Sequence, residues 1–405
     1  MIHQGLSDIL KLKRLPLGEL GYFYGGLSGK SKEDFIGGRG KFIPYMNVFS
    51  NLSIDIEQLG LVSIKEGERQ NKVEYGDILF TASSETPDEC GMSSVMLSEV
   101  EDDNPVYLNS FCFGFRFNDK SQIVPSFYKH LFRSNKMREE ISRTAQGVTR
   151  FNISKKTFAK IIIPVPSIEQ QENIANELDT FTTLIEKLGE EIELRKKQLE
   201  YLREEILSFK NRSDVKKRPL GEICEIERGN GVQKTDFVEE GVGCIHYGQI
   251  YTHYNLFATK TNRFVSNEVA LRAKKAEQGD VVMTITSENI EDVCKCVAWL
   301  GDESIAVSAH AVIIKNADNS KYIAYCSTTH DFFLQKRKLA RGAKVVEIKP
   351  EMVAKIEIPY PSKKEQDEIV EKLDAFTTLI SKLEEERDLR QKQYEYYREK
   401  LLTFE

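Results

Sequence analysis

"FAKIIIPVPSIEQQENIANELDTFTTLIEKLGEEIELRKKQLEYLREEILSF", residues 158–209, returns without a gap 195 positions later as "VAKIEIPYPSKKEQDEIVEKLDAFTTLISKLEEERDLRQKQYEYYREKLLTF", residues 353–404, and 30 of the 52 positions are identical. A period this long is not that of a solenoid and marks a duplicated domain-plus-helix unit. Within each copy, Ile-x-Ile-Pro-x-Pro predicts a last strand and a proline stop. Ser167 with Gln170, and Ser362 with Glu365, then have the spacing of a capping box that opens a helix.

Along the first helix, Ile174, Leu178, Phe181, Ile185, Leu188, Ile192, Leu199, Leu202, Ile206 and Phe209 follow a 4-3 spacing broken at Arg195. The second seam is Ile369, Leu373, Phe376, Ile380, Leu383, Tyr394, Tyr397, Leu401 and Phe404, interrupted by Arg387 and Arg390. At ~1.5 Å per residue, a helix of roughly forty residues is ~60 Å long, more than a domain is wide. The economical solution pairs the two helices with each other. Because each follows an equivalent domain, a pseudo-twofold makes the pair antiparallel and puts the domains at opposite ends. Two separate amphipathic helices, each packed on its own domain, are the plainer alternative.

Similarity continues outside the block. Pro16-Leu-Gly-Glu-Leu20 matches Pro219-Leu-Gly-Glu-Ile223, and Lys32-Glu-Asp-Phe35 matches Lys234-Thr-Asp-Phe237. "FIPYMNVF" parallels "CIHYGQIY", "GDILFTASSE" (76–85) parallels "GDVVMTITSE" (279–288), and Gly147-Val-Thr-Arg150 parallels Gly342-Ala-Lys-Val345. Each is a short apolar run leading into a polar tip, the mark of a mixed α/β module in which a small sheet holds loops on one side. The expected organisation is a domain over 1–166, a long helix over 167–212, a second domain over 213–361 and a second long helix over 362–405.

"YFYGGLSGKS", residues 22–31, invites comparison with a phosphate loop, which needs Gly, four residues, then Gly-Lys-Ser. Tyr24 fills the slot that requires Gly, the glycines after Glu33 oppose the helix that should follow, and the second copy, "EIERGNGVQKTDF", has no Gly-Lys-Ser. The shared feature is a flexible, basic, Gly-rich loop between strands. A nucleotide-binding enzyme using Lys30 and Ser31 is therefore a weak alternative.

The 405 residues, 40% hydrophobic and 30% charged, are enough for two or three domains with proper cores. No run of about eighteen apolar residues appears, and Met-Ile-His-Gln-Gly-Leu-Ser-Asp has neither a basic start nor an apolar stretch for export, so a cytoplasmic protein without membrane contact is expected. Seven scattered cysteines, with Cys294 and Cys296 the only close pair, suggest buried thiols rather than disulfides. His246 and His253 lie in a Tyr-rich segment suited to hydrogen bonding; neither a metal nor another cofactor is expected.

The net charge of −6 argues at first against a nucleic-acid partner. Residues 168–209, however, carry 5 basic and 11 acidic side chains and residues 363–404 carry 9 and 11, so the helices hold −8 and the rest of the chain is +2. Residues 126–160 hold nine Lys or Arg against two Glu, and residues 321–355 hold eight against three acidic groups. A solvated surface is the plain alternative, but a basic window that recurs at one offset beside Gly-polar loops points to nucleic acid. The candidate contacts in the first domain are Lys30, Lys32, Arg39, Lys41, Tyr45, Asn47, Ser83, Ser84, Thr149 and Arg150. In the second they are Arg228, Asn230, Gln233, Lys234, Tyr247, Gln249, Thr286, Ser287, Arg341 and Lys344. Loop cations near glycines suit phosphates, and Asn, Gln and Tyr tips suit base edges.

This ordered, duplicated set of segments resembles the specificity (S, or HsdS) subunit of type I restriction-modification systems, and the resemblance covers essentially the whole chain. The helix-start Glu-Gln of that family is present as Glu365-Gln366 but reads Gln170-Gln171 in the first copy. The resemblance implies a split DNA target read one half per domain, with the helices docking two methyltransferase subunits and, through them, the restriction subunits. No Asn-Pro-Pro-Tyr or Asp-Pro-Pro-Tyr and no nuclease carboxylate set is found, so a non-catalytic chain is expected. A coiled-coil scaffold with protein-binding end domains is the other class of reading.

Overall fold

The computed structural model describes residues 12–101, 103–210, 212–342 and 344–404; the opening Met-Ile-His-Gln-Gly-Leu-Ser-Asp and the first residues of the expected first domain lie outside them. The chain divides into two compact units, Met1–Gly189 together with Glu385–Glu405, and Glu190–Glu384. Both long helices, Ile168–Ser208 and Lys363–Leu402, cross that division, so each unit contains half of each helix.

The first unit has two main sheets rather than the single small one expected. One runs Gly21–Gly25, Cys112–Phe117, Ile78–Thr81, Ser93–Val95, with every neighbour antiparallel. The other runs Gly60–Val62, Gly40–Ile43, Val106–Leu108, Lys72–Val73, and its central pair is parallel. Ile78–Thr81 is buried at all four positions, which is why Ile78, Leu79 and Phe80 read as a continuous apolar run rather than an alternating one. Phe80 anchors the core with ring centroids 5.3, 5.2 and 4.9 Å from those of Phe113, Phe132 and Phe158.

The second unit repeats this frame. One sheet runs Glu225–Arg228, Ala311–Lys315, Val281–Thr284, Cys296–Trp299, Phe257–Ala258. In the other, Val242–Ile245 and Ile305–Val307 form the equivalent parallel pair. In each unit a two-residue strand leaves the main sheet to pair with the segment that follows the glycine loop: Ser83–Ser84 with Phe151–Ile153, and Thr286–Ser287 with Val346–Glu347.

In the first unit the two helix halves pack together: the rings of Phe181 and Tyr397 stack 5.3 Å apart, and Leu178, Tyr394 and Leu402 are buried in the same core. In the second, Lys196 Nζ lies 2.9 Å from Glu384 Oε1, and Leu207 shares a core with Ile369 and Leu373. Residue numbers rise along one helix as they fall along the other, so the pairing in each unit is antiparallel, and the reading of two unpaired helices fails. Arg195 and Arg390, which break the seams, sit 195 positions apart and make the same bonds, to Glu191 and Gln198 and to Glu386 and Gln393.

The first helix opens on the reciprocal capping box, with Ser167 Oγ accepting from Gln170 N at 3.3 Å and Ser167 N donating to Gln170 Oε1 at 3.2 Å. The second keeps half of it: Ser362 Oγ accepts from Glu365 N, while the Glu365 carboxylate takes Arg212 at 3.0 Å. The buried neighbours Gln171 and Gln366 donate to Pro166 O and Pro361 O, tying both proline stops to the helices. Both helices end before a phenylalanine in the left-handed region, Phe209 (φ 46°) and Phe404 (φ 45°).

Candidate nucleic-acid interface

The glycine loops are built alike. A Cβ on Gly147 would lie 2.0 Å from Arg150 O, and one on Gly342 would lie 1.9 Å from Val345 O, at φ 146° and 107°. Only glycine lets the chain fold back this closely, and the turn delivers the next strand to Ser83–Ser84 or Thr286–Ser287. A third segment joins each place: Ala82 N donates to Phe111 O at 2.8 Å, and Ile285 N to His310 O at 2.9 Å.

In the first unit this brings together Tyr45, Ser83, Ser84, Phe111 and Arg150. Tyr45 donates its hydroxyl to Ser83 O at 2.8 Å, and burial raises its pKa. Arg150 Nη2 donates to Ser83 Oγ at 3.2 Å, and its Cζ lies 5.4 Å from the centroid of the Phe111 ring. Phe111 is 53% exposed, and Thr149 and Arg150 are exposed beside it. No carboxylate of the described residues pairs with Arg150, while Ser84 Oγ donates to Glu89 at 3.1 Å.

The second unit places Thr286, Ser287, Tyr247 and His310 together. Thr286 Oγ1 is 3.1 Å from His310 Nδ1, and the Tyr247 ring lies 4.9 Å from the His310 ring. Arg228 Nε donates to Ala309 O, steadying the turn that carries His310. Burial, then the nearby Lys234 ammonium and His310, push the His246 pKa down to about 4, so His246 is neutral beneath this surface. The hydroxyl that reaches Thr286 O, at 2.5 Å, belongs to Tyr251, which stands where the first copy has Phe49. Arg341 donates to Lys338 O and Ala340 O, and Lys344 is exposed on the glycine loop.

Other expected residues are engaged elsewhere. The Lys30 side chain is only 4% exposed and bonds Glu68 and Ser63 O, both at 2.6 Å. Ser31 caps a short 3-10 turn through Asp34, so no phosphate loop forms. Asn47 and Gln249 are buried: Asn47 bonds Asp55 and Gln58 carbonyls, and Gln249 bonds His246 N and Asn262. Gln233 caps its own turn through Asp236, and Asn230 accepts from Lys274 N. Lys32 and Arg39 are exposed and Lys41 half-buried, on the short turn and strand around Lys32–Phe35 and Gly40–Ile43, and no hydrogen bond joins them to the Ser83 cluster.

The basic windows are likewise thinner than their count. Arg133 donates to Ser93 O, Val48 O, Phe49 O and Asn51 O, and Arg138 to Gly91 O, Asp88 O and Cys90 O. Lys129 pairs with Asp179, and Lys336 is buried against Glu291 O and Val293 O. These cations hold loops and helices together instead of facing a partner.

With this geometry in view, the family described as the type I restriction modification DNA specificity domain matches residues 40–195 and again 212–390. The chain belongs to that family. It is 30% identical over 268 residues to the specificity subunit of an Escherichia coli type I restriction enzyme, a match covering 62% of this chain and 65% of that relative. It is 24% identical over 298 residues to a Methanocaldococcus jannaschii type I restriction enzyme specificity subunit, covering 67% and 68%. The fold matches the type I restriction-modification S subunit from M. genitalium at TM-score 0.54 and 15% identity, over 97% of this chain and 96% of that one. A chain from a study of complex assembly and conformational transition of the type I system matches at TM-score 0.62 and 15% identity, over 96% and 97%.

Proposed function

We propose that this chain is the sequence-reading, non-catalytic subunit of a type I restriction-modification complex, with domains over 1–166 and 213–361 each reading one half of a split duplex target. The observation that carries this is the repeated cluster. One frame, closed by the same glycine turn, holds Ser83, Phe111 and Arg150 in one copy and Thr286 and His310 in the other. A structural role would favour the same side chains twice; different polar tips on one frame suit two different base sequences.

The partners follow from a second repetition. Leu184, Leu194 and Tyr201 recur 195 positions on as Leu379, Leu389 and Tyr396, and all six are exposed outside the seam. Because the helices cross between the units, each unit carries an equivalent set, Leu184, Leu389 and Tyr396 in the first and Leu379, Leu194 and Tyr201 in the second, suited to one copy each of a methyltransferase subunit, through which restriction subunits join. The chain and its methyltransferase partner should select a bipartite motif from random duplexes. Replacing residues 16–157 with the corresponding domain of a relative should change one half of that motif only. If both halves change together, the domains do not read DNA independently.

A further inference from the structure

The residue just before a strand of the main sheet differs in chemistry between the two copies. Phe111 precedes Cys112–Phe117 and His310 precedes Ala311–Lys315, and each passes its carbonyl to the middle residue of the bend that leads into the Ser-Ser or Thr-Ser strand. The backbone at this position is therefore fixed by the sheet while the side chain is exposed, which is what a recognition position requires.

In the first unit the position is an apolar ring with a cation over it. Arg150 carries five N–H donors, and its bond to Ser83 Oγ uses only one. The Phe111 ring and Ser83 together restrain a side chain that otherwise has large rotamer freedom, so less entropy is lost when the remaining fork meets a partner. A restrained, carboxylate-free guanidinium matches the paired acceptors O6 and N7 of guanine in the major groove. In the second unit, the glycine-loop residue equivalent to Arg150 is Val345, which cannot bond, and the polar group is the platform itself. Thr286 occupies His310 Nδ1, which leaves Nε2 of this exposed side chain to bond a partner.

We propose that residues 111 and 310 are one specificity-determining position in two forms: Phe111 positions Arg150 on a guanine of the first half-site, and His310 bonds a base edge of the second. This rests on the DNA-reading function above and adds which side chains read and one base that is read.

The test is selection from a random duplex pool by the chain with its methyltransferase subunits, with sequencing of the bound fraction. Arg150→Lys should keep most of the affinity but lower guanine preference at one position of the first half-site by roughly 10- to 100-fold, because lysine keeps the charge and loses the fork. Phe111→Ala should relax the same position, and the double variant should relax it no further. His310→Ala should relax one position of the second half-site only. In each variant the untouched half-site reports that the molecule is folded. A wild-type complex that selects no motif would refute the DNA-reading function itself. A wild-type motif left unchanged by Phe111→Ala and His310→Ala, or a relaxed position that is not guanine in Arg150→Lys, would overturn this inference alone.

Discussion

His130 Nε2 lies 2.6 Å from Asp179 Oδ1, joining the short helix Pro125–Leu131 to the first long helix. A carboxylate only accepts, so Nε2 carries the hydrogen and Nδ1 accepts from the Tyr394 hydroxyl at 3.0 Å, which brings in the second long helix as well. Burial lowers the His130 pKa, against the hydrogen bond to Asp179 that raises it. Burial would raise the Asp179 pKa, but bonds from His130, Lys129 and Ser126 outweigh it and bring the value to about 2. Between the depressed folded pKa of His130 and its ordinary ~6.5, the unfolded chain binds more protons than the folded one, so stability rises with pH there. Acidification below ~6.5 should therefore loosen this junction, and Asp179 adds a further loss below ~4.

The second unit supplies the control. There Tyr325 donates to Asp374 at 2.8 Å where His130 meets Asp179, and Leu199 stands in place of Tyr394. The pair of changes His130→Tyr and Tyr394→Leu should flatten the pH dependence just below about pH 6.5. Hydrogen exchange in residues 125–142, compared with residues 320–339 of the same molecule, measures it. Equal acid sensitivity of the two segments in the wild-type chain would refute the assignment.

Arg133 separates a structural cation from a DNA contact. Burial brings its pKa down to about 10, so it stays charged at neutral pH while serving four backbone carbonyls. Arg133→Ala should cost ~2–4 kcal/mol in denaturant unfolding of the first unit, with Arg133→Lys intermediate because an ammonium cannot span the same fork. The salt dependence of DNA binding should not change for the folded fraction. A reduced salt slope with unchanged stability would instead place Arg133 on phosphate.

Tyr201 and Tyr396 are 71% and 62% exposed, on helices whose seam positions are turned the other way. Seven residues before them, Leu194 and Leu389 share the same helix face. Tyr201→Ala should weaken binding of one methyltransferase subunit and Tyr396→Ala that of the other, by ~1–2 kcal/mol each. Sedimentation of the double variant with the partner should show the free chain at concentrations where the wild type is fully assembled. Full assembly of the double variant would exclude this face.

The fold was legible because its strongest signal, a gapless 52-residue repeat, sits in helices, where burial imposes a period and insertions shift the seam. The site was harder. Ser83, Arg150, Thr286 and Tyr247 could be found because they border glycines and strand ends. Phe111 and His310, which the structure adds to the clusters, were not legible because loop lengths differ: the offset between copies is 203 at Ser83 and Thr286 but 199 at this position. An exposed phenylalanine also carries no polar signature. Lys30 and Asn47 lie apart from the cluster for the opposite reason, since a side chain's type does not reveal that Glu68 or the Asp55 carbonyl reaches it first.

The helices also bear on target geometry. If the antiparallel pair spaces the two domains along DNA, its length sets the number of unread base pairs between the half-sites. Inserting four residues after Leu188 and four after Leu383 adds them close to the points where each helix passes from one unit to the other. Each helix lengthens by ~6 Å, and the apolar stripe is roughly preserved because four residues are little more than one turn. Base pairs are ~3.4 Å apart, so the gap should grow by ~1–2 base pairs while both half-sites stay the same. Added base pairs also rotate one half-site about the duplex axis, so weaker binding or bent DNA accompanies the change. Sequencing the DNA methylated by the variant complex measures the gap directly. A gap of unchanged length, read with unchanged efficiency, would show that the partner subunits position the domains and that the helices serve only to hold the chain together.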